Sequence, residues 1–372
     1  RWGHTMCGDL QSTAYVVGGY GSNGPEDRNQ RGLQCLALGY NCDKQKDKQE
    51  ALVPLSDDAM HAASAVLHLS LTEQQEKGRE EKGKVEVKHF SGYSMSLLLL
   101  SGGRQSPNAA LPCLRLYDIN NNYCAVTFTK IGNVQPSLRW GNTLTLIRKT
   151  SSKCTYLLYG GRDELNVMSD AYKLHVSIAP AVHGGIVCEW EKLNLLLNKE
   201  AGSQDSGRFF HAACATLNIF PADDHSNDEY DLVVVHGGVT SIHDPYSTDS
   251  AYIINPNTGN VDNLFHSTGT TSCSTITAVA EDQAKTVATT TDSEVAINMH
   301  RFGHTLTSIG AKCLLLLGGS SFHDDNSSHS GSTCNSTIVF DLNIDVDGKY
   351  HASARLIKAS AGNCSEPLPC QE

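Results

Sequence analysis

The 372-residue sequence has no long hydrophobic run; its longest apolar stretches are four or five residues, such as Leu97 to Leu100 and Leu314 to Leu317. A transmembrane helix needs about 20, so no helical membrane span is expected. Charge is also scarce. Asp, Glu, Lys and Arg make up 19%, and 29 Lys and Arg face 40 Asp and Glu, for a formal net charge of -11. That balance argues against whole-surface nucleic-acid binding and leaves room only for a local basic patch. No C-x-x-C pair occurs among the 13 Cys, so the spacing gives a zinc site no support. G-x-S-x-G, H-E-x-x-H and the Walker sequence are missing as well. The Gly-rich GGYGSNG at 18 to 24 precedes no predicted helix, and so lacks the dipole that a phosphate loop uses. No catalytic centre, metal site or cofactor is expected within the chain.

What is present points to a large core. Hydrophobic residues make up 40% and there are 32 Gly, which excludes wholesale disorder. The length allows two domains of roughly 150 residues, but closed all-β rings reach this size as one unit. The chain opens on Arg1 with no apolar leader, which predicts a fragment or a processed product. Cysteines inside apolar runs, such as Cys154 and Cys313, read as buried thiols and predict a reducing, cytoplasmic or nuclear setting. Three N-x-S/T sequons, at Asn326, Asn335 and Asn363, and the Cys364/Cys370 tail keep a secreted origin as the lesser alternative.

The dominant feature is a repeat. A short apolar strand ending in Gly-Gly recurs five times, closing on Gly18-Gly19, Gly102-Gly103, Gly160-Gly161, Gly237-Gly238 and Gly318-Gly319. Each copy follows a second element: RWGHT at 1 to 5, MHAAS at 60 to 64, RWGNT at 139 to 143, RFFHA at 208 to 212 and RFGHT at 301 to 305. A polar loop and a third strand come after each Gly-Gly, and a fourth strand is placed at 124 to 131, 187 to 193 and 354 to 359. Small antiparallel sheets repeated around a ring are what a β-propeller requires. The double glycine lets two backbones approach where a Cβ would clash. The chain is therefore expected to be a single all-β propeller over 1 to 372. Six blades are expected, five of them recognisable, with five as the alternative count. The charged stretch 73 to 88 is an insertion, and 268 to 298 a degenerate blade or a linker.

The pattern Arg-x-Gly-His-Thr, strand, Gly-Gly, strand resembles the kelch repeat along essentially the whole chain. GGYG at 18 to 21, LLLLSGGRQSP at 97 to 107, YGGR with SDAYKLHV at 159 to 176, and LLLLGG with TIVFDLN at 314 to 343 resemble a more specific family. It is the carboxy-terminal kelch propeller of the tRNA wybutosine-synthesizing methyltransferases related to leucine carboxyl methyltransferases. The resemblance implies an accessory domain that positions tRNA for a separate S-adenosylmethionine-dependent domain. That domain is not in this chain, and no catalytic residue of the family carries over. The alternative is a freestanding protein-protein interaction module, an adaptor or a scaffold.

Six arginines stand at one end of the predicted hairpins. Arg1, Arg139, Arg208 and Arg301 open the first strand, and Arg104 and Arg162 directly follow Gly-Gly. They are expected to gather at a central mouth, where guanidinium forks suit carboxylates or phosphates. The expected partners are an acidic peptide or protein, or tRNA phosphates. The competing reading has each arginine pairing with an acidic residue of the next blade. His4, His61, His211 and His304, with Asn142 in the remaining copy, recur at the blade start. Repetition in every unit suits a structural hydrogen bond between neighbouring strands better than acid-base catalysis.

Overall fold

The computed structural model describes residues 2–8, 13–20, 33–37, 60–71, 93–106, 109–179, 185–197, 207–216, 231–243, 247–264, 299–310, 312–321, 332–334, 336–344 and 350–357. All of the regular structure among them is β, and no helix is long and apolar enough to cross a membrane. The first repeat gives a three-stranded sheet of β1 (Trp2–Gly8), β2 (Thr13–Tyr20) and β3 (Leu33–Ala37).

Four complete blades follow. Blade one holds β4 (Ala63–Leu71) and β5 (Tyr93–Ser101), then a small hairpin of β6 (Arg104–Ser106) and β7 (Ala109–Ala110), then β8 (Arg115–Asp118) and β9 (Cys124–Ala125). The next strand, β10 (Phe128–Ile131), leaves its own blade and pairs in parallel with β14 (Gly185–Leu193). Blade two is β11 (Thr143–Lys149), β12 (Lys153–Tyr159), β13 (Ala171–Ala179) and β14, with β10 outermost. Blade three repeats the device: β15 (Leu196–Leu197) pairs in parallel with β19 (Asn260–Asn263), outside β16 (Ala212–Ala215), β17 (Val233–His236) and β18 (Ala251–Ile254). Blade four contains β20 (Thr305–Gly310), β21 (Cys313–Leu317), β24 (Thr337–Ile344) and β25 (Tyr350–Ile357), beside a small hairpin of β22 (Ser320–Ser321) and β23 (Ser332–Thr333).

The architecture is thus a four-bladed propeller, which corrects the expected six blades and the alternative five. Among the described residues, only four of the five repeats build a sheet of four or five strands, and the first shows three. The stretch 268 to 298 and the charged insertion 73 to 88 lie outside the described residues. The segment 124 to 131 is not one fourth strand: β9 ends blade one, and β10 belongs to blade two.

The sheets pack face to face, which explains why their strands read as continuous apolar runs. In β5, Leu97 and Leu99 enter the core shared with blade two, while Leu98 and Leu100 face Tyr15, Val17 and Leu33 of the first sheet. Blades two and three share Leu157, Tyr159, Val233 and Val235; blades three and four share Val234, Ile253, Leu314 and Leu316. Each buried leucine contributes roughly 1.5–3 kcal/mol relative to exposure.

Candidate functional site: the arginine mouth

The first strands of successive sheets lie side by side, β1 by β4, β4 by β11, β11 by β16 and β16 by β20. Just before these strands, the residues of the second sequence element pair with the residue after Gly-Gly. Met60 bridges Arg104, Trp140 bridges Arg162, Phe209 bridges Val239 and Phe302 bridges Ser320. The next residue of each element has a left-handed φ: 57° at His61, 66° at Gly141, 55° at Phe210 and 64° at Gly303. Their backbones form a chain of hydrogen bonds from blade to blade. The Gly141 N–H donates to the His61 carbonyl, Phe210 to Gly141, and Gly303 to Phe210. This backbone chain frames the mouth.

The arginines divide into two kinds. Arg139, Arg208 and Arg301 are fully buried, and each binds its own blade. Arg208 Nη1 donates to the Gly237 carbonyl at 3.0 Å and the Ser250 carbonyl at 3.2 Å, and Nη2 to Ser250 Oγ at 3.0 Å. Arg301 makes the same bonds to Gly318, the Ser336 carbonyl and Ser336 Oγ. Arg139 reaches the Gly160 carbonyl at 3.0 Å and pairs with Asp170 at 2.5 Å. Each clamp ties the end of the second strand to the start of the third.

The backbone of the same arginine joins the neighbouring blade. The N–H of Gly103, Gly161 and Gly238 donates to the carbonyl of Arg139, Arg208 and Arg301 respectively. A Cβ on Gly237 would sit 2.4 Å from the Arg301 carbonyl oxygen, and one on Gly160 would sit 2.5 Å from that of Arg208. The preceding glycine is therefore imposed by the approach of the next blade. Gly18 and Gly19 share the positive φ, at 66° and 82°. Gly102 is met from a second side: Arg115 of β8 donates to its carbonyl at 2.6 Å. Arg115 thus does in blade one what the buried arginines do elsewhere, from a strand the motif did not mark.

Arg104 and Arg162 are different. Both are half-buried at the mouth, and their guanidinium carbons lie 5.3 and 5.4 Å from the centroid of the same Trp140 ring. Arg162 also lies 5.0 Å from the Phe209 ring, the geometry of cation–π attraction. Arg162 Nε donates to the Asp163 carbonyl at 2.9 Å. Burial and the neighbouring Arg104 charge both pull the Arg162 pKa below its ordinary value. Burial, with Arg104 again beside it, holds His61 down at about 4. The structure therefore brings together Arg104 and Arg162, sends Arg139, Arg208 and Arg301 into the blades, and leaves Arg1 outside the described residues. Trp140 and Phe209, which carry the two guanidiniums, are the site residues the sequence reading passed over. Their signal was the aromatic after Arg in RWGNT and RFFHA.

The histidines also separate. His61 occupies the left-handed position of Gly141, so Ala62 stands where Asn142, His211 and His304 stand. His211 Nε2 is 2.9 Å from Thr143 Oγ1 of the preceding blade, and His304 Nε2 is 3.0 Å from His236 Nδ1 of blade three. Burial holds His304 down at about 3 and His211 and His236 well below the usual histidine range. His4 is exposed on β1, in register with Gly18. Among the described residues, no three His, Cys, Asp or Glu are grouped to hold a metal ion. Cys113, Cys124, Cys154, Cys188, Cys214 and Cys334 are free thiols, and burial pushes Cys188 up to about 12, which leaves it inert.

No protein-family model matches the chain, and no curated protein matches it. One solved structure that it resembles is a novel fungal alcohol oxidase with catalytic diversity among the AA5 family, in complex with copper. The sequences are 10% identical, the TM-score is 0.39, and the match covers 97% of this chain and 76% of that one. A likeness at that level carries no argument about the chemistry of this chain. What stands is an all-β propeller whose mouth holds two arginines on one tryptophan.

Proposed function

We propose that the chain is a non-catalytic interaction module that receives an acidic peptide at the Arg104–Arg162 mouth. The observation that supports it is the pair itself: two like charges share the Trp140 ring, and burial together with the Arg104 charge lowers the Arg162 pKa. An incoming carboxylate relieves that repulsion and accepts charge-assisted hydrogen bonds from the guanidiniums. The net charge of -11 argues against anion binding over the whole surface and favours a local site. Buried thiols support a reducing, cytoplasmic or nuclear setting.

The finer reading, a tRNA-positioning domain of a wybutosine-modifying transferase, rests on the sequence resemblance alone. Polyanion binding depends on many phosphate contacts, roughly 6–10 for a tight site, whereas this mouth offers two arginines. The acidic-peptide reading is the better supported.

Fluorescence anisotropy with a labelled glutamate-rich peptide tests it. Arg104→Ala with Arg162→Ala is expected to weaken binding by about tenfold or more, that is at least about 1.4 kcal/mol. Unchanged affinity would overturn the proposal, and so would tighter binding of unfractionated tRNA through the same two residues.

A further inference from the structure

The seams joining blades one to four are built on the same two positions. One is the residue just before Gly-Gly; the other is the blade-start position held by Asn142, His211 and His304. Between blades two and three the Tyr159 and His211 rings lie 5.3 Å apart, and between blades three and four the His236 and His304 rings lie 4.9 Å apart. Between blades one and two the pair is Ser101 and Asn142, a hydroxyl and an amide where the other seams have rings. Side chains alternate along a strand, so Ser101 takes the direction of Leu97 and Leu99, toward blade two. Asn142 holds the place of the imidazoles. A Cβ built on Gly102 would lie 2.8 Å from Asn142 Oδ1, as one on Gly160 would lie 2.9 Å from His211 Cε1 and one on Gly237 2.7 Å from His304 Cε1.

The hydrogen bonds across the seams differ accordingly. His211 reaches Thr143 of the preceding blade, and His304 reaches His236. Thr143 stands opposite Tyr159 in its hairpin, and the residue opposite Ser101 is Ala63, which has no hydroxyl to offer Asn142. Ser101 is 0% and Asn142 6% exposed. Among the described residues, Ser101 Oγ, Asn142 Oδ1 and Asn142 Nδ2 have no hydrogen-bond partner, although buried polar groups in native interiors are nearly always bonded to protein or to ordered water. All three atoms are uncharged, and together they supply both donors and acceptors. That set complements water, which also donates and accepts, and it contains none of the carboxylates that a hard cation recruits. We infer that the seam between blades one and two is a binding site for a buried water molecule that bridges Ser101 to Asn142. The water does at this seam what an imidazole does at the other two.

A high-resolution crystal structure of the full chain tests the site directly. A water peak is expected within hydrogen-bond distance, about 2.7–3.2 Å, of both Ser101 Oγ and an Asn142 amide atom. A direct Ser101–Asn142 bond with no such peak would overturn the inference, and so would density for an ion or a larger molecule. Calorimetric unfolding of Ser101→Ala gives a second reading, because its sign separates the two cases. A hydroxyl bonded to water has a partner to lose, so the midpoint is expected to fall by about 1–3 °C. A midpoint that stays or rises would show a hydroxyl with no partner and would also overturn it. Ser101→His with Asn142→His copies the pair between blades three and four, and is expected to expel the water; a peak that persists in that variant would show that these two side chains do not hold it.

Discussion

The same residue type does opposite work at two places that adjoin in space, where Arg162 lies over the ring of Phe209, the residue after Arg208. Arg208 is fully buried, lies 4.4 Å from the Tyr252 ring and spends its donors on two backbone carbonyls and a hydroxyl. Arg162, beyond the Gly-Gly of the preceding blade, sits half-buried over Trp140 and Phe209 beside another guanidinium. The first arrangement holds a blade together from a fully buried position, out of reach of a ligand. The second places two like charges over one aromatic ring at the mouth. Position relative to the glycines decides which outcome an arginine meets. Before the first strand it turns into its own blade; after Gly-Gly it faces the mouth.

Breaking the clamp should have the largest effect. Arg208→Ala leaves the Gly237 carbonyl buried and short of its arginine donor, which costs about 1–3 kcal/mol, reduces the Ser250 carbonyl to the bond from Gly237 N–H, and removes a fully buried side chain from beside the Tyr252 ring. A total loss of about 3 kcal/mol or more in urea unfolding is expected. Gly160→Ala attacks the same joint from the other blade. A left-handed φ of 62° and a Cβ 2.5 Å from the Arg208 carbonyl together predict a loss of about 2–3 kcal/mol, since the backbone conformation alone costs roughly 1–3 kcal/mol.

Acid sharpens the comparison through the histidines buried between the blades. The pKa values of His211, His236 and His304 are lowered in the fold by burial, His304 to about 3. The unfolded chain therefore takes up protons first. Stability is fully present above the ordinary histidine value of 6.5 and is expected to fall progressively as the pH drops below it toward 3. The decline should be blunted in His304→Asn, which keeps a hydrogen-bonding group and removes the titration. Equal slopes between pH 6.5 and 4 in the two proteins would show that the His236–His304 contact is not what titrates. The smallest effect on stability should come from Arg162→Ala, within about 1 kcal/mol of the wild type, as expected for a solvent-facing cation.

Much of this contrast was legible in the sequence, and the rest was hidden for physical reasons. Five Gly-Gly ends became the hairpins β1–β2, β4–β5, β11–β12, β16–β17 and β20–β21, because a backbone approach that excludes Cβ leaves an unmistakable mark. The blade count was not legible, because a strand's allegiance depends on pairing. Phe128–Ile131 lies next to β9 in the chain but pairs in parallel with the blade after it. His61 was read as a blade-start histidine because MHAAS offers no glycine to fix the register. The backbone puts it at the left-handed position instead. The gathering of arginines at one end of the hairpins was readable, but whether each turned inward was not. That depends on carbonyls contributed by Gly237 and Ser250, on different strands. Arg115 escaped notice for the same reason.

Equilibrium urea unfolding of Arg208→Ala beside Arg104→Ala/Arg162→Ala tests the division between clamp and mouth most directly. The account predicts that Arg208→Ala loses about 3 kcal/mol or more, while the mouth double variant stays within about 1 kcal/mol of the wild type. Comparable losses in the two proteins would contradict it, because the mouth arginines would then be clamps as well.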